Sequence, residues 1–186
     1  MKKKPDTVKE FGEIISLCRD VFLTKMKDYG TAWRILRTRS ITDQIYIKAR
    51  RIRSIEDKGT RKINEGILPE YIGIVNYSVM ALIQLELGTA GQPDLPYTDS
   101  ERLYNKYICA ARDLMLDKNH DYGEAWRSMR LSSLTDIILM KLMRIKQIED
   151  NEGKTFISEG LDANYYDIIN YSIFALIRIT DENTQE

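Results

Sequence analysis

The chain has 186 residues, with 28 Lys+Arg against 28 Asp+Glu and a formal net charge of zero. Such a balanced field draws neither a nucleic-acid backbone nor an acidic membrane to the chain as a whole. Its two cysteines, Cys18 and Cys109, stand at unrelated positions, which argues against a disulfide scaffold or a cysteine-based zinc site. Charge is uneven along the chain: residues 1–93 carry about +6 and the remainder about −6. That polarity can draw the halves together, orient a head-to-tail dimer, or reflect drift of surface charge. The basic start Met1-Lys2-Lys3-Lys4-Pro5 is followed by no long apolar run, so no signal peptide is expected. The most apolar stretches, 72–87 and 165–179, are too short and too polar to span a bilayer, and a cytoplasmic protein is expected.

In chain order, Phe11, Ile14, Ile15, Cys18, Phe22 and Met26 recur at helical spacing and predict a first helix over about 8–27. Gly30 fits its C-terminus, since glycine reaches left-handed backbone angles at low cost. A second helix is expected to start at the capping signature Ser40-x-x-Asp43 and run to about Asp57. A polar loop follows, then a third helix over about 70–87, with Pro69 suited to its first turn. Residues 88–96, rich in Gly and Pro, read as a linker.

The same pattern then returns. Asp28-Tyr29-Gly30-Thr31-Ala32-Trp33-Arg34 becomes Asp121-Tyr122-Gly123-Glu124-Ala125-Trp126-Arg127. Ser40-Ile41-Thr42-Asp43 becomes Ser133-Leu134-Thr135-Asp136, and Asn76-Tyr77-Ser78 becomes Asn170-Tyr171-Ser172. About half of the positions agree over a period of about 93 residues, which marks two copies of a small domain. No segment alternates like a strand. The expected fold is all-α: two tandem three-helix units, residues 1–88 and 100–186, joined by a linker at 89–99 and packed as a pseudo-twofold bundle. Each unit alone is marginal in size, so a shared core is expected and homodimerisation is an option.

The second helix carries an anomaly. Ile41, Ile45, Ile52 and Ile55 form one stripe whose missing member is Lys48; Leu134, Ile138, Ile145 and Ile148 form the other, and its missing member is Lys141. Each lysine is followed three residues later by an arginine, Arg51 or Arg144. A desolvated ammonium keeps its proton only beside an anion. Internal candidates are Glu65, Glu159, Asp43, Asp136 and Asp167; the external candidate is a phosphate. The alternative is an ordinary ion pair between helices, with the lysine stem filling the core.

Trp33 and Trp126 have two readings as well. Each indole caps the core, with Asp and Arg at helix ends, or it forms a wall for a base while Arg34 or Arg127 meets phosphate. Glu159, Asp162 and Asp167 cluster around the start of the last helix, where acids can hold Mg²⁺ together with substrate phosphates or simply suit the helix end. The first copy has Leu68 and Gly73 in place of Asp162 and Asp167. His120 has no counterpart, which makes it a poor catalytic candidate.

Together, the DYGxAWR element, the Ser-x-Thr-Asp segment, the Lys-x-x-Arg pair and the Glu…Asn-Tyr-Ser helix resemble the first nucleotide modification associated domain, formerly a domain of unknown function. That domain occurs in bacterial proteins and in phage proteins encoded near nucleotide-modifying enzymes. The resemblance covers both copies and implies acids before the Asn-Tyr pair, here Glu159, Asp162 and Asp167, with a further acid where this chain has Ala163. More remotely, an all-α unit with acids on facing helices is similar to MazG-type nucleoside triphosphate pyrophosphohydrolases, although a Glu-Glu-x-x-Glu helix is missing. Shared fold does not transfer activity.

Three functions follow. The first is nucleotide binding or processing, with bases near Trp33 or Trp126, phosphates at Lys48/Arg51 or Lys141/Arg144, and, if catalytic, Mg²⁺ on Glu159, Asp162 and Asp167 for phosphoanhydride hydrolysis. The second is a nucleic-acid-binding accessory module using Lys48, Arg50, Arg51 and Arg53 with Lys58, Arg61 and Lys62. The third is a non-catalytic structural or interaction protein.

Overall fold

A computed structural model describes residues 6–59, 66–156 and 159–184. All regular structure among them is helical: α1 (Thr7–Tyr29), α2 (Thr38–Lys58), α3 (Leu68–Leu87), α4 (Tyr97–Tyr122), α5 (Leu131–Asp150) and α6 (Leu161–Thr184). A short 3₁₀ turn, Ala32–Ile35 or Ala125–Ser128, joins the first and second helices of each repeat. Among the described residues, no helix is long and apolar enough to cross a membrane.

The stripe Phe11, Ile14, Cys18, Phe22 and Met26 buries one face of α1, and Asp6 caps its start by accepting from the amide of Lys9. Gly30 (φ 59°) and Gly123 (φ 63°) terminate α1 and α4 in a conformation that would strain other residues. The α4 helix starts at Tyr97, inside the segment expected to be linker.

Two details of the second helix differ from the sequence expectation. The buried apolar residue in the turn of Lys48 is Ala49, and in the turn of Lys141 it is Leu142, beside Lys141, which is itself buried as the sequence implied. The apolar stripe is therefore continuous, and each lysine flanks it. Nor do Ser40 and Ser133 cap their helices. The α2 and α5 helices begin two residues earlier, after Arg37 and Arg130, with no side-chain cap. Both caps are extended residues leaving the 3₁₀ turn, and the amides of Ser40 and Ile41 are met by the Arg37 carbonyl.

The conserved-spacing segment instead faces the other repeat. Thr42 donates to Glu149 (2.8 Å) and meets the hydroxyl of Tyr165 (2.7 Å). Thr135 does the same with Glu56 (2.9 Å) and Tyr71 (2.7 Å). Asp43 pairs with Lys146, and Asp136 with Arg53. Each of these contacts is returned by its counterpart.

Helices α2, α3, α5 and α6 form a central four-helix layer, with α3 against α6 and α2 against α5; α1 packs on α6 and α3, and α4 on α3 and α6. One continuous hydrophobic cluster draws on all six helices, so the repeats share their core. Central position explains why α3 and α6 are buried on several faces, down to the rings of Tyr71 and Tyr165.

Candidate functional site

Each repeat holds a cleft at the same place. The C-terminal part of its first helix, the tryptophan turn, the lysine of its second helix and one face of its third helix enclose it. The glycine after the first helix turns the chain sharply, and the 3₁₀ turn carries the indole back over the third helix. The first-repeat cleft is about 670 Å³ and mostly apolar in lining, with Phe22, Met26, Leu36, Ile72 and Met80 beside Trp33, Lys25 and Lys48. The second-repeat cleft is about 1070 Å³ and carries Lys118, Lys141, Arg144 and Lys154 against only two carboxylates, Glu159 and Asp167. That volume matches the upper reach of small-molecule sites.

The two lysines find different anions. In the first repeat, Lys48, with 26 % of its side chain exposed, approaches Glu70 at 3.3 Å, and Arg51 binds the other oxygen of the same carboxylate. Glu70 was not among the expected partners. Asp43 and Asp136 are engaged with the opposite repeat, and Glu65 lies outside the described residues. In the second repeat, Lys141 is 10 % exposed and pairs with Asp167, as the sequence allowed. The other oxygen of Asp167 takes Lys118 at 2.6 Å. Burial pushes the Asp167 carboxyl up, but the two ammonium groups outweigh it and hold the acid below the ordinary carboxylate range. Burial likewise presses Lys118 down, and Asp167, with Glu159 behind it, more than restores the charge.

One exchange separates the repeats. By alignment on the Asn-Tyr-Ser segment, Glu70 corresponds to Asn164, and Gly73 to Asp167. Losing the glutamate removes the carboxylate that ties down the arginine. Arg144, the counterpart of Arg51, is exposed, lines the cleft and has no ion pair among the described residues. The lining also contains buried polar atoms without partners: Trp126 Nε1, Asn164 Oδ1 and Asn170 Oδ1. At the rim stands Phe156, an apolar ring fully exposed to solvent, which periodicity could not flag because it belongs to a loop.

Several expected site residues have other duties. Arg34 is 3 % exposed and is consumed by Gln84, the Gly88 carbonyl (2.7 Å) and Asp94 (2.9 Å). It fastens the linker that leads into α4. Arg127 binds Glu10, Glu124 and Thr7, fastening the start of α1. Both arginines therefore anchor the other repeat's first helix and do not line the clefts. Trp126 stacks on Phe174 (4.3 Å, 5° between planes) and has the Arg127 guanidinium 4.3 Å from its ring centre. With both faces covered, it offers a ligand its edge and not the expected stacking wall. Trp33 has a tilted aromatic neighbour, Phe22 at 6.4 Å, and the Arg34 guanidinium 6.0 Å from its ring centre.

The expected Mg²⁺ set is not assembled. No three His, Cys, Asp or Glu side chains form a metal-holding group among the described residues. Asp162 does not line the cleft, and both oxygens of Asp167 already face ammonium groups, which compete with any cation. This donor set does not fit Mg²⁺.

Compared with known families, the chain matches the one described as nucleotide modification associated domain 1, twice, over residues 25–85 and 118–179. The chain belongs to this family. Both matched segments run from the end of a repeat's first helix into the last turns of its third, so each family unit carries most of the lining of one cleft. No curated protein and no solved structure matches the chain.

Proposed function

We propose that this nucleotide modification associated protein binds a nucleoside phosphate in the second-repeat cleft. The observation that carries this reading is Arg144. The Glu70-to-Asn164 exchange leaves its guanidinium at the cleft without a carboxylate, beside Lys118, Lys141 and Lys154. Arginine meets phosphate oxygens through paired, charge-assisted hydrogen bonds. Ammonium groups already bound to Asp167 keep further donors for an anion, since each carries three. Phe156 at the rim supplies a free aromatic face for a base, the role that Trp126 cannot fill.

The reading is one of binding. MazG-type hydrolysis depends on carboxylates gathered around metal, and the donor set among the described residues does not supply them. The reciprocal contacts between repeats support a pseudo-twofold arrangement in which one cleft has kept its charge and the other has become apolar. Nucleic-acid binding along the basic run of α2 has less support: Glu70 takes Lys48 and Arg51, Asp136 takes Arg53, and Arg61 and Lys62 lie outside the described residues.

A thermal-shift series with deoxynucleoside triphosphates tests the reading, because a ligand that binds only the native state raises the midpoint. Wild type is expected to shift at millimolar nucleotide without added metal. Arg144→Ala is expected to lose most of that shift while melting normally on its own, because the residue is exposed. An unshifted wild type, or an Arg144→Ala variant that responds fully, would refute the proposal.

A further inference from the structure

The base end of the same cleft has its own signature, and this inference rests on the binding reading above. In the first repeat, Asn76 is satisfied on both sides. Its amide nitrogen donates to the Cys18 carbonyl (3.0 Å), and its oxygen accepts from the hydroxyl of Tyr104 (2.8 Å). The counterpart Asn170 keeps the first bond, donating to the Ala111 carbonyl at 3.0 Å. It has no second one. The residue of α1 that corresponds to Tyr104 of α4 is Phe11, which has no hydroxyl. Asn170 is 5 % exposed, and its oxygen is buried at the cleft without a donor.

Asn164 repeats the situation. Its nitrogen donates to the Gly160 carbonyl (2.8 Å), which fixes the amide orientation, and its oxygen has no partner. The residue is 3 % exposed and also lines the cleft. The same lining holds one unpartnered donor, Trp126 Nε1. A buried acceptor left without a donor is costly, so two such oxygens in one cleft favour a ligand that brings N–H groups.

We infer that the nucleotide bound here carries a base with an exocyclic amino group, recognised by Asn170 and Asn164. An exocyclic amino group supplies the N–H donor that Asn170 lacks, and a ring nitrogen or carbonyl beside it can accept from the Trp126 indole. Thymine and uracil present one N–H between two carbonyl oxygens. That arrangement sets acceptor against acceptor and leaves one asparagine oxygen buried and unpaired. The cations at Lys118, Lys141 and Arg144 take the phosphates whatever the base. Asn170 is therefore a specificity residue, and Phe11 is what keeps it available.

The test compares dGTP, dITP, dTTP and inorganic pyrophosphate by calorimetric titration of the full chain. The pair dGTP and dITP differs by a single amino group and needs no variant. Binding of dITP is expected to be about 3- to 10-fold weaker than that of dGTP, with dTTP weaker still, as one or two hydrogen bonds are lost. Phe11→Tyr supplies the hydroxyl that Tyr104 gives Asn76. It is expected to melt no lower than wild type, to weaken dGTP by a similar factor and to leave pyrophosphate unchanged. Equal affinities for dGTP, dITP and dTTP would overturn this assignment while pyrophosphate binding upheld the phosphate site. Unaltered dGTP binding by Phe11→Tyr would remove Asn170 from the recognition set. Failure of every ligand, pyrophosphate included, would bring down the binding reading and this one with it.

Discussion

Replacing Asp167 by asparagine is the sharpest probe of the second-repeat cleft. The change keeps the shape and removes the charge that Lys118 and Lys141 share. Lys141 is 10 % exposed, so its ammonium would be left nearly buried without a counter-ion. Removing one partner of a buried pair costs about 3–5 kcal/mol. The cleft admits water, which places the expected loss at the lower end, about 3 kcal/mol. Lys118 is half exposed and adds at most about 1 kcal/mol. At this chain length each kcal/mol moves the melting midpoint by about 2–4 °C, so a fall of about 6–12 °C is expected. Circular dichroism melts at neutral pH read it directly. Adding Lys141→Met should recover most of the loss, because the stranded charge is then gone. The pH dependence has a definite sign: the folded carboxyl sits below its ordinary range, so its contribution is present above that range and fades as pH falls through the folded value. An Asp167→Asn midpoint within about 2 °C of wild type would refute the buried-pair argument.

Three further outcomes follow from the same contacts. Glu56 and Glu149 are held above the ordinary glutamate range chiefly by burial, so their ionisation opposes folding once pH rises through the raised values. Their Gln variants should gain stability at neutral pH and lose that gain below the ordinary range; a gain that grows on acidification would reverse the assignment. Arg34→Ala should cost about 3 kcal/mol and expose the linker at 88–96 to limited proteolysis, and unchanged digestion would show that the arginine does not fasten it. Gly73→Asp gives the first repeat the carboxylate of the second. Its Cβ would meet Lys48 Cε at 2.8 Å, but that end of the side chain can swing aside, so the change should stay within about 1 kcal/mol by thermal melt, and a loss of several degrees would mean that Lys48 cannot move.

Much of the architecture was legible in residue spacing. Helical periodicity and paired glycines mark where Gly30 and Gly123 end their helices, and the repeat itself predicts a shared core. The Lys141–Asp167 pair was legible too, since an ammonium beside an apolar stripe must find an anion. What stayed hidden depends on partners far away in sequence. Thr42 and Glu149 are 107 residues apart, so a segment resembling a helix cap turned out to be a contact between repeats. An arginine following tryptophan looks the same whether it awaits phosphate or clasps a linker, and only the positions of Asp94 and Glu10 decide between them. Asn164 and Phe11 gave no signal because their importance lies in what they fail to provide: a carboxylate in one case, a hydroxyl in the other.

The clasping arginines bear on how such a chain arises. Arg34 grips the approach to α4 while Arg127 grips the approach to α1, so neither half is finished without the other. Two identical half-length chains could close the same exchange between themselves, each completing its sister. Covalent fusion of such a couple would release the sisters from having to remain alike, and one could then surrender its charged chamber to grease while the other specialised.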